Sequence, residues 1–179
     1  LQALMNMNPE RALPILEKVL ESREPGTTEL RRQAVFLLSQ GGAEGSEALM
    51  IDLARNDPDP EVRSQAVFWL GQSGSEEALD FFRELIASEE DPRILEQAVF
   101  AISRMEGEAS GAVLRDLARD PSLPLELRQM AVFGLGHEGT AADRAFLREL
   151  YGSLDDPDFR ASLLDMADRK SGSAGMPRP

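Results

Sequence analysis

The chain has 179 residues, 32 acidic against 19 basic, a net charge of −13, one histidine and no cysteine. Disulfide and thiol chemistry are excluded, and a zinc site is excluded in practice. The acidic field repels nucleic-acid phosphates, with no basic stripe to override it, and no run approaches the ~20 apolar residues of a membrane-spanning helix.

Taken in order, the chain alternates two kinds of apolar segment. Residues 1–7 look like the tail of a helix of the first kind, already under way where the chain opens on Leu1. The sequence therefore reads as a fragment, with earlier repeats and any targeting segment upstream, and no compartment is legible in it. Asn8-Pro9 turns the chain into a second-type helix over 10–21, expected to face Ile15, Leu16 and Val19 inward and to carry Pro14 harmlessly in its first turns. First-type helices follow over 27–40, 59–73, 92–105 and 125–137, each with a second-type partner over 46–56, 75–88, 109–119 and 141–152. Residues 158–168 resemble one more first-type helix, where Asp165 replaces an expected phenylalanine and makes a polar end cap. The stretch 169–179, rich in Ser, Gly and Pro, is expected to be a flexible tail.

Two motifs hold this alternation in register. Gln33-Ala34-Val35-Phe36 returns as Gln65-Ala66-Val67-Phe68, as Gln97-Ala98-Val99-Phe100, and slightly changed as Met130-Ala131-Val132-Phe133, at steps of 32, 32 and 33 residues. Leu53, Leu85, Leu117 and Leu150 in the second-type segments keep the same steps. A fixed step of that size marks a stacked array. Val62, Ala66 and Leu70 recur at i, i+4 and i+8, the period of a helix and not of a strand. Asp59-Pro60-Glu61 supplies a capping oxygen, a proline at the first helical position and an early acid, and Asp156-Pro157-Asp158 repeats the device. Gly42, Gly74 and Gly139 stand where a left-handed residue can end a first-type helix. The third repeat departs, with Glu106 at that place and Gly107 one later.

These residues resemble the HEAT-like repeats in the short form found in bacterial proteins and bilin lyases. Asp59-Pro60-Glu61-Val62-Arg63, Ala66, Leu70-Gly71, Gly74 and the apolar helix that follows carry the resemblance. It implies an all-α fold, a right-handed α-solenoid of stacked antiparallel helix pairs with about five repeats over 1–168. It also implies a non-catalytic scaffold that presents a curved surface to a partner protein or peptide. The alternative is an accessory or regulatory region of a larger enzyme whose catalytic part lies elsewhere. No cofactor or metal is implied. Deoxyhypusine hydroxylase holds iron on HEAT-like repeats with several His-Glu pairs, whereas here His137-Glu138 is a single pair at a helix end. Calcium could use only carboxylates, densest at Asp155-Asp156-Pro157-Asp158, and that loop lacks the EF-hand spacing. The acidity fits a solvated surface or, through steering, a basic partner.

Two rows of residues remain as candidates. On the second-type helices Arg83, Arg115 and Arg148 share one position, and Asp52, Glu84, Asp116 and Glu149 the next. The resemblance places them in the concave groove. They form either a lattice of weak salt bridges between repeats or a polar groove for an extended peptide or helix, in which Arg115→Glu would weaken capture and leave the melting temperature alone. On the first-type helices Phe36, Phe68, Phe100 and Phe133 lie well round from the core face. Either each ring folds over the small residue one turn on (Ser39, Gly71, Ser103, Gly136) into the seam between repeats, or the four make an apolar stripe on the outer surface. Trp69 reads as packing. No sequence signal bears on oligomeric state.

Overall fold

A computed structural model describes residues 8–22, 24, 26–137, 140–153, 157, 159–161 and 163. The expected helix at 1–7, the terminator Gly139, the acidic cluster around 156, the polar cap at Asp165 and the tail at 169–179 lie outside them. The described residues hold α-helices and no strand. The helices are α1 (Pro9–Glu21), α2 (Thr28–Gly41), α3 (Ser46–Asn56), α4 (Pro60–Ser73), α5 (Glu76–Ser88), α6 (Pro92–Arg104), α7 (Glu108–Arg119), α8 (Leu125–His137) and α9 (Ala141–Ser153). They divide into two compact units, Leu1–Ala101 and Ile102–Pro179, with the last turn of α6 in the second.

Local chemistry explains the boundaries. Asn8 accepts from the Glu10 amide at 2.9 Å, and Asp59 accepts from the Glu61 amide at 2.9 Å with Pro60 at the first helical position. Ser75 accepts from the Ala78 amide at 3.0 Å. Each satisfies a donor that a helix start leaves orphaned. Gly42 and Gly74 end α2 and α4 at φ of 63° and 66°, the left-handed region where a Cβ would be strained. Gly107 instead stands at the N-terminal cap of α7.

The repeated Ala-Val pair is the inner wall. Ala34, Val35, Ala66, Val67, Ala98 and Val99 are fully buried in the first unit, as are Ala131 and Val132 in the second. Val62 and Leu70 complete this face on α4, and Phe81, Phe82, Leu85 and Ile86 supply the opposing face of α5. In α1 the inward stripe differs from expectation. Ala12, Leu16 and Leu20 are buried at i, i+4 and i+8, which turns Ile15 into solvent and leaves Val19 half-buried. Because α1 begins at Pro9, Pro14 lies past the first turn, so its ring removes the donor that would have reached the Glu10 carbonyl.

Small residues set the spacing of neighbouring first-type helices. A Cβ built on Gly71 of α4 would lie 2.6 Å from the Cβ of Ala101 on α6. In the second unit a Cβ on Gly134 of α8 would lie 2.6 Å from that of Ser103. Glycine inside a helix costs up to ~1 kcal/mol against alanine, so these positions trade helix propensity for close packing. Gly71→Ala is expected to lower stability by ~1–3 kcal/mol despite its better propensity. Urea denaturation checks this, and a more stable variant would contradict the close approach.

Candidate interaction surfaces

The charged rows on the second-type helices are largely spoken for, and by residues outside the rows. In the first unit Arg83 pairs with Asp80 on its own helix at 2.8 Å. Glu84 of α5 pairs at 2.7 Å with Arg55, which reaches across from α3 and lies 5.6 Å above the Phe81 ring. Asp52 accepts from the side-chain Nδ2 of Asn56 at 2.7 Å. The second unit repeats the cross-helix clamp. Arg119 of α7 pairs with Glu149 of α9 at 3.0 Å and lies 4.5 Å from the Phe146 ring centre. These pairs are exposed, so each contributes ~0–1 kcal/mol, with a similar increment from the ring contact. Asp116 and Arg148 are exposed.

Arg115 is the exception, and its place corrects the groove reading for that residue. Its side chain is mostly buried, held between Glu108 and Asp143. Thr140 and Asp143 cap α9 reciprocally: the Asp143 carboxylate accepts from the Thr140 amide at 2.8 Å, and the Thr140 hydroxyl accepts from the Asp143 amide at 3.2 Å. Gly111 makes room for the pair, since a Cβ there would stand 3.3 Å from an Arg115 nitrogen and 3.4 Å from an Asp143 oxygen. Burial pushes the Asp143 carboxyl up, but the Thr140 hydrogen bonds and the Arg115 charge outweigh it and hold the group below the usual range. Burial lowers the Arg115 guanidinium, while its hydrogen bonds to Glu108 and Asp143 more than restore it, with a net rise. Arg115 is therefore a brace between α7 and α9.

A second buried ion pair went unread in the sequence. Arg31 on α2 meets Asp57, in the connector after α3, through two contacts at 2.9 and 3.2 Å, with the side chains 3% and 0% exposed. Arg31 also donates to the Ser22 carbonyl at 3.0 Å and to the Thr27 hydroxyl at 2.7 Å. The Asp57 carboxylate accepts from the Asp59 amide at 2.9 Å, and the Thr28 hydroxyl donates to Asp59 at 2.7 Å. That hydroxyl, then the Glu61 amide, depresses the Asp59 pKa. One repeat on, Arg63 faces Glu89 at 3.8 Å and donates to the Asp57 carbonyl at 3.2 Å. The signal was available: Arg31, Arg63 and Arg128 keep the repeat register, and Asp57 and Glu89 each follow their arginine by 26 residues. Leu95 breaks the series.

The phenylalanines stand outside. Phe36, Phe68, Phe100 and Phe133 are 38%, 40%, 52% and 60% exposed. They do not fold into the seam, because the space beside Gly71 is taken by Ala101. On α2 and α4 the row is bridged by Trp69, whose ring centre lies 5.7 Å from that of Phe36 and 5.0 Å from that of Phe68. His137 ends α8, and Glu138 lies outside the described residues.

Helix pairs recurring in one register, with two surface rows, define a repeat array. The family model for HEAT repeats matches residues 23–103 and 47–126, so residues 23–126, more than half of the chain, are covered. The chain belongs to the HEAT-repeat family. No curated protein matches it. HEAT repeats generally act as protein-interaction scaffolds, and their fold is typically non-catalytic. No helix among the described residues is long and apolar enough to cross a membrane.

Removing one partner of the Arg31–Asp57 pair leaves the other charge buried, so Asp57→Ala is expected to cost ~3–5 kcal/mol in urea denaturation. Arg115→Glu should lower the melting temperature, since it sets a third carboxylate between Glu108 and Asp143. Asp59 and Asp143 have folded pKa values below the unfolded ~3.9, so their contribution is complete above that value and is lost as pH falls through the depressed one. Asp143→Asn should therefore lose less stability than the parent between about pH 5 and pH 3, as denaturation at the two values would show.

Proposed function

We propose that this chain is a non-catalytic protein-interaction scaffold whose main working surface is the outer wall of the first-type helices. The observation that carries this reading is the exposed aromatic row of the first unit, Phe36, Phe68 and Phe100 on α2, α4 and α6; in the second unit Phe133 on α8 is exposed in the same way. Burying one such ring in a partner is worth ~1.5–3 kcal/mol, and large aromatics on a rigid support lose little freedom on binding. Gln33, exposed beside the row, adds an uncharged amide at its rim. The exposed members of the charged rows, Asp52, Arg83, Glu84, Asp116, Arg148 and Glu149, act in this reading through the field they set up. With a net charge of −13 that field speeds the approach of a basic protein or peptide.

A photo-crosslinking residue at position 68 tests the reading in cells that make the full-length parent protein. A discrete adduct is expected, lost when Phe36 and Phe100 are both changed to Ser, while the melting temperature stays within a few degrees because the rings are already half in solvent. Adducts that persist in the double variant would place the working surface elsewhere.

A further inference from the structure

We propose that the occupant of the stripe on the first compact unit is a second copy of this chain, related by a two-fold axis running along α4. This rests on the reading above, in which the stripe is an interaction surface, and it names the partner.

The face is built from three parallel helices in one register. Phe36, Phe68 and Phe100 form one row across α2, α4 and α6. One turn back lie Arg32, Ser64 and Glu96, and a further turn back Glu29, Glu61 and Arg93. The outer helices thus carry opposite charges at equivalent positions: Glu29 and Arg32 on α2, Arg93 and Glu96 on α6. All four are exposed. A two-fold rotation about α4 lays α2 of each copy over α6 of the other with the helices running the same way. Glu29 then meets Arg93 of the partner and Arg32 meets Glu96, and symmetry makes each pair twice. Phe36 meets Phe100, and Phe68 meets itself. A two-fold axis across the helices would instead lay α2 on α2 reversed; centred between Glu29 and Arg32 it pairs those charges but leaves the two phenylalanine rows roughly 16 Å apart, and centred on the phenylalanines it brings none of these opposite charges together. Charge complementarity and the register of the phenylalanine row together therefore select the partner and the axis.

Shape agrees with charge. Trp69 fills the outside of the α2–α4 seam against Phe36 and Phe68. Ala101 holds the equivalent place at the α4–α6 seam, pressed onto Gly71, so that seam is shallow. The rotation sets the filled seam of each copy over the shallow seam of the other.

The charges also explain why this face suits a second copy. Each chain carries −13, yet these rows hold three acids against two arginines, so the face is nearly neutral within a repelling surface. Three helices of 13 or 14 residues are each about 20 Å long and about 10 Å apart, on the order of 600 Å² per copy. That is the low end for a specific interface, so a concentration-dependent monomer–dimer equilibrium is expected. In the monomer Arg93 pairs with Asp91 at 3.1 Å and with Glu61 at 3.6 Å, and Arg32 pairs with Glu29 at 3.4 Å; these exposed contacts compete with dimerisation. Glu61 meets its own mate near the axis, the one like-charge contact in the arrangement.

Sedimentation equilibrium of the full chain across a wide concentration series tests this. The wild-type mass is expected to rise from 19.7 kDa toward twice that value. F68E should remain monomeric throughout with an unchanged melting temperature. R93E and E29R alone should each weaken dimerisation about tenfold, and the double variant E29R/R93E should restore it. E61Q should tighten it. A wild type that stays monomeric, or a double variant no better than its parents, overturns the proposal. A monomeric wild type whose position-68 crosslinker still forms an adduct with a different protein, lost when Phe36 and Phe100 are changed to Ser, overturns the dimer and leaves the scaffold standing. Neither dimer nor adduct removes both.

Discussion

The distance between adjacent first-type helices controls the rest of this structure. Where Gly71 receives Ala101, and where Gly134 receives Ser103, backbones approach too closely for a second side chain to enter. That closeness lets the Ala-Val pair of each repeat bury completely against its neighbours. It also shuts the seam. A phenylalanine one position beyond the buried valine has no gap to enter and must stay outside. The exposed row is thus a geometric consequence of the packing beneath it.

The connectors obey a different constraint. A loop that crosses the edge of a helical stack exposes backbone groups that must be paired. In the first repeat Arg31 does this from one side, binding two carbonyl or hydroxyl oxygens and the Asp57 carboxylate at once, while Asp57 and Asp59 take up the free amides at the start of α4. The pair is costly to desolvate, and its value is that it fixes where one helix pair ends and the next begins. Arg115 and Asp143 serve a comparable end in the second unit, joining α7 to the cap of α9. Charge on this protein is thus divided between a few buried braces and a large solvated remainder.

That division bears on function. Arginines at 55 and 119 satisfy the acids at 84 and 149 across neighbouring helices, so the charged rows of the second-type helices contribute to holding the repeats together and have fewer charges to offer a ligand. The aromatic row stays largely in solvent, with Trp69 packed against Phe36 and Phe68. An apolar, nearly neutral strip on a strongly acidic body is suited to a protein partner, and the opposite charges on α2 and α6 make that strip complementary to itself.

Much of the architecture was legible in the residues alone. The 32-residue step, the Asp-Pro caps and the terminating glycines depend on local chemistry, and the observed helix bounds follow them to within a residue or two. The inward face of the repeats was also readable, because a 3.6-residue period with alanine and valine at its centre admits one buried side. Tertiary structure decided what local pattern leaves free. It turned α1 onto Ala12, Leu16 and Leu20 in place of Ile15. It took Arg115 out of the exposed charged row and into a brace, since the partner Asp143 lies 28 residues away and no helical period links them. It joined Arg31 to Asp57, a pair whose spacing of 26 has meaning only once a helix hairpin closes between them. And it put the phenylalanines in solvent, because whether a ring fits a seam depends on how near two helices come, and that distance is a property of the packed pair.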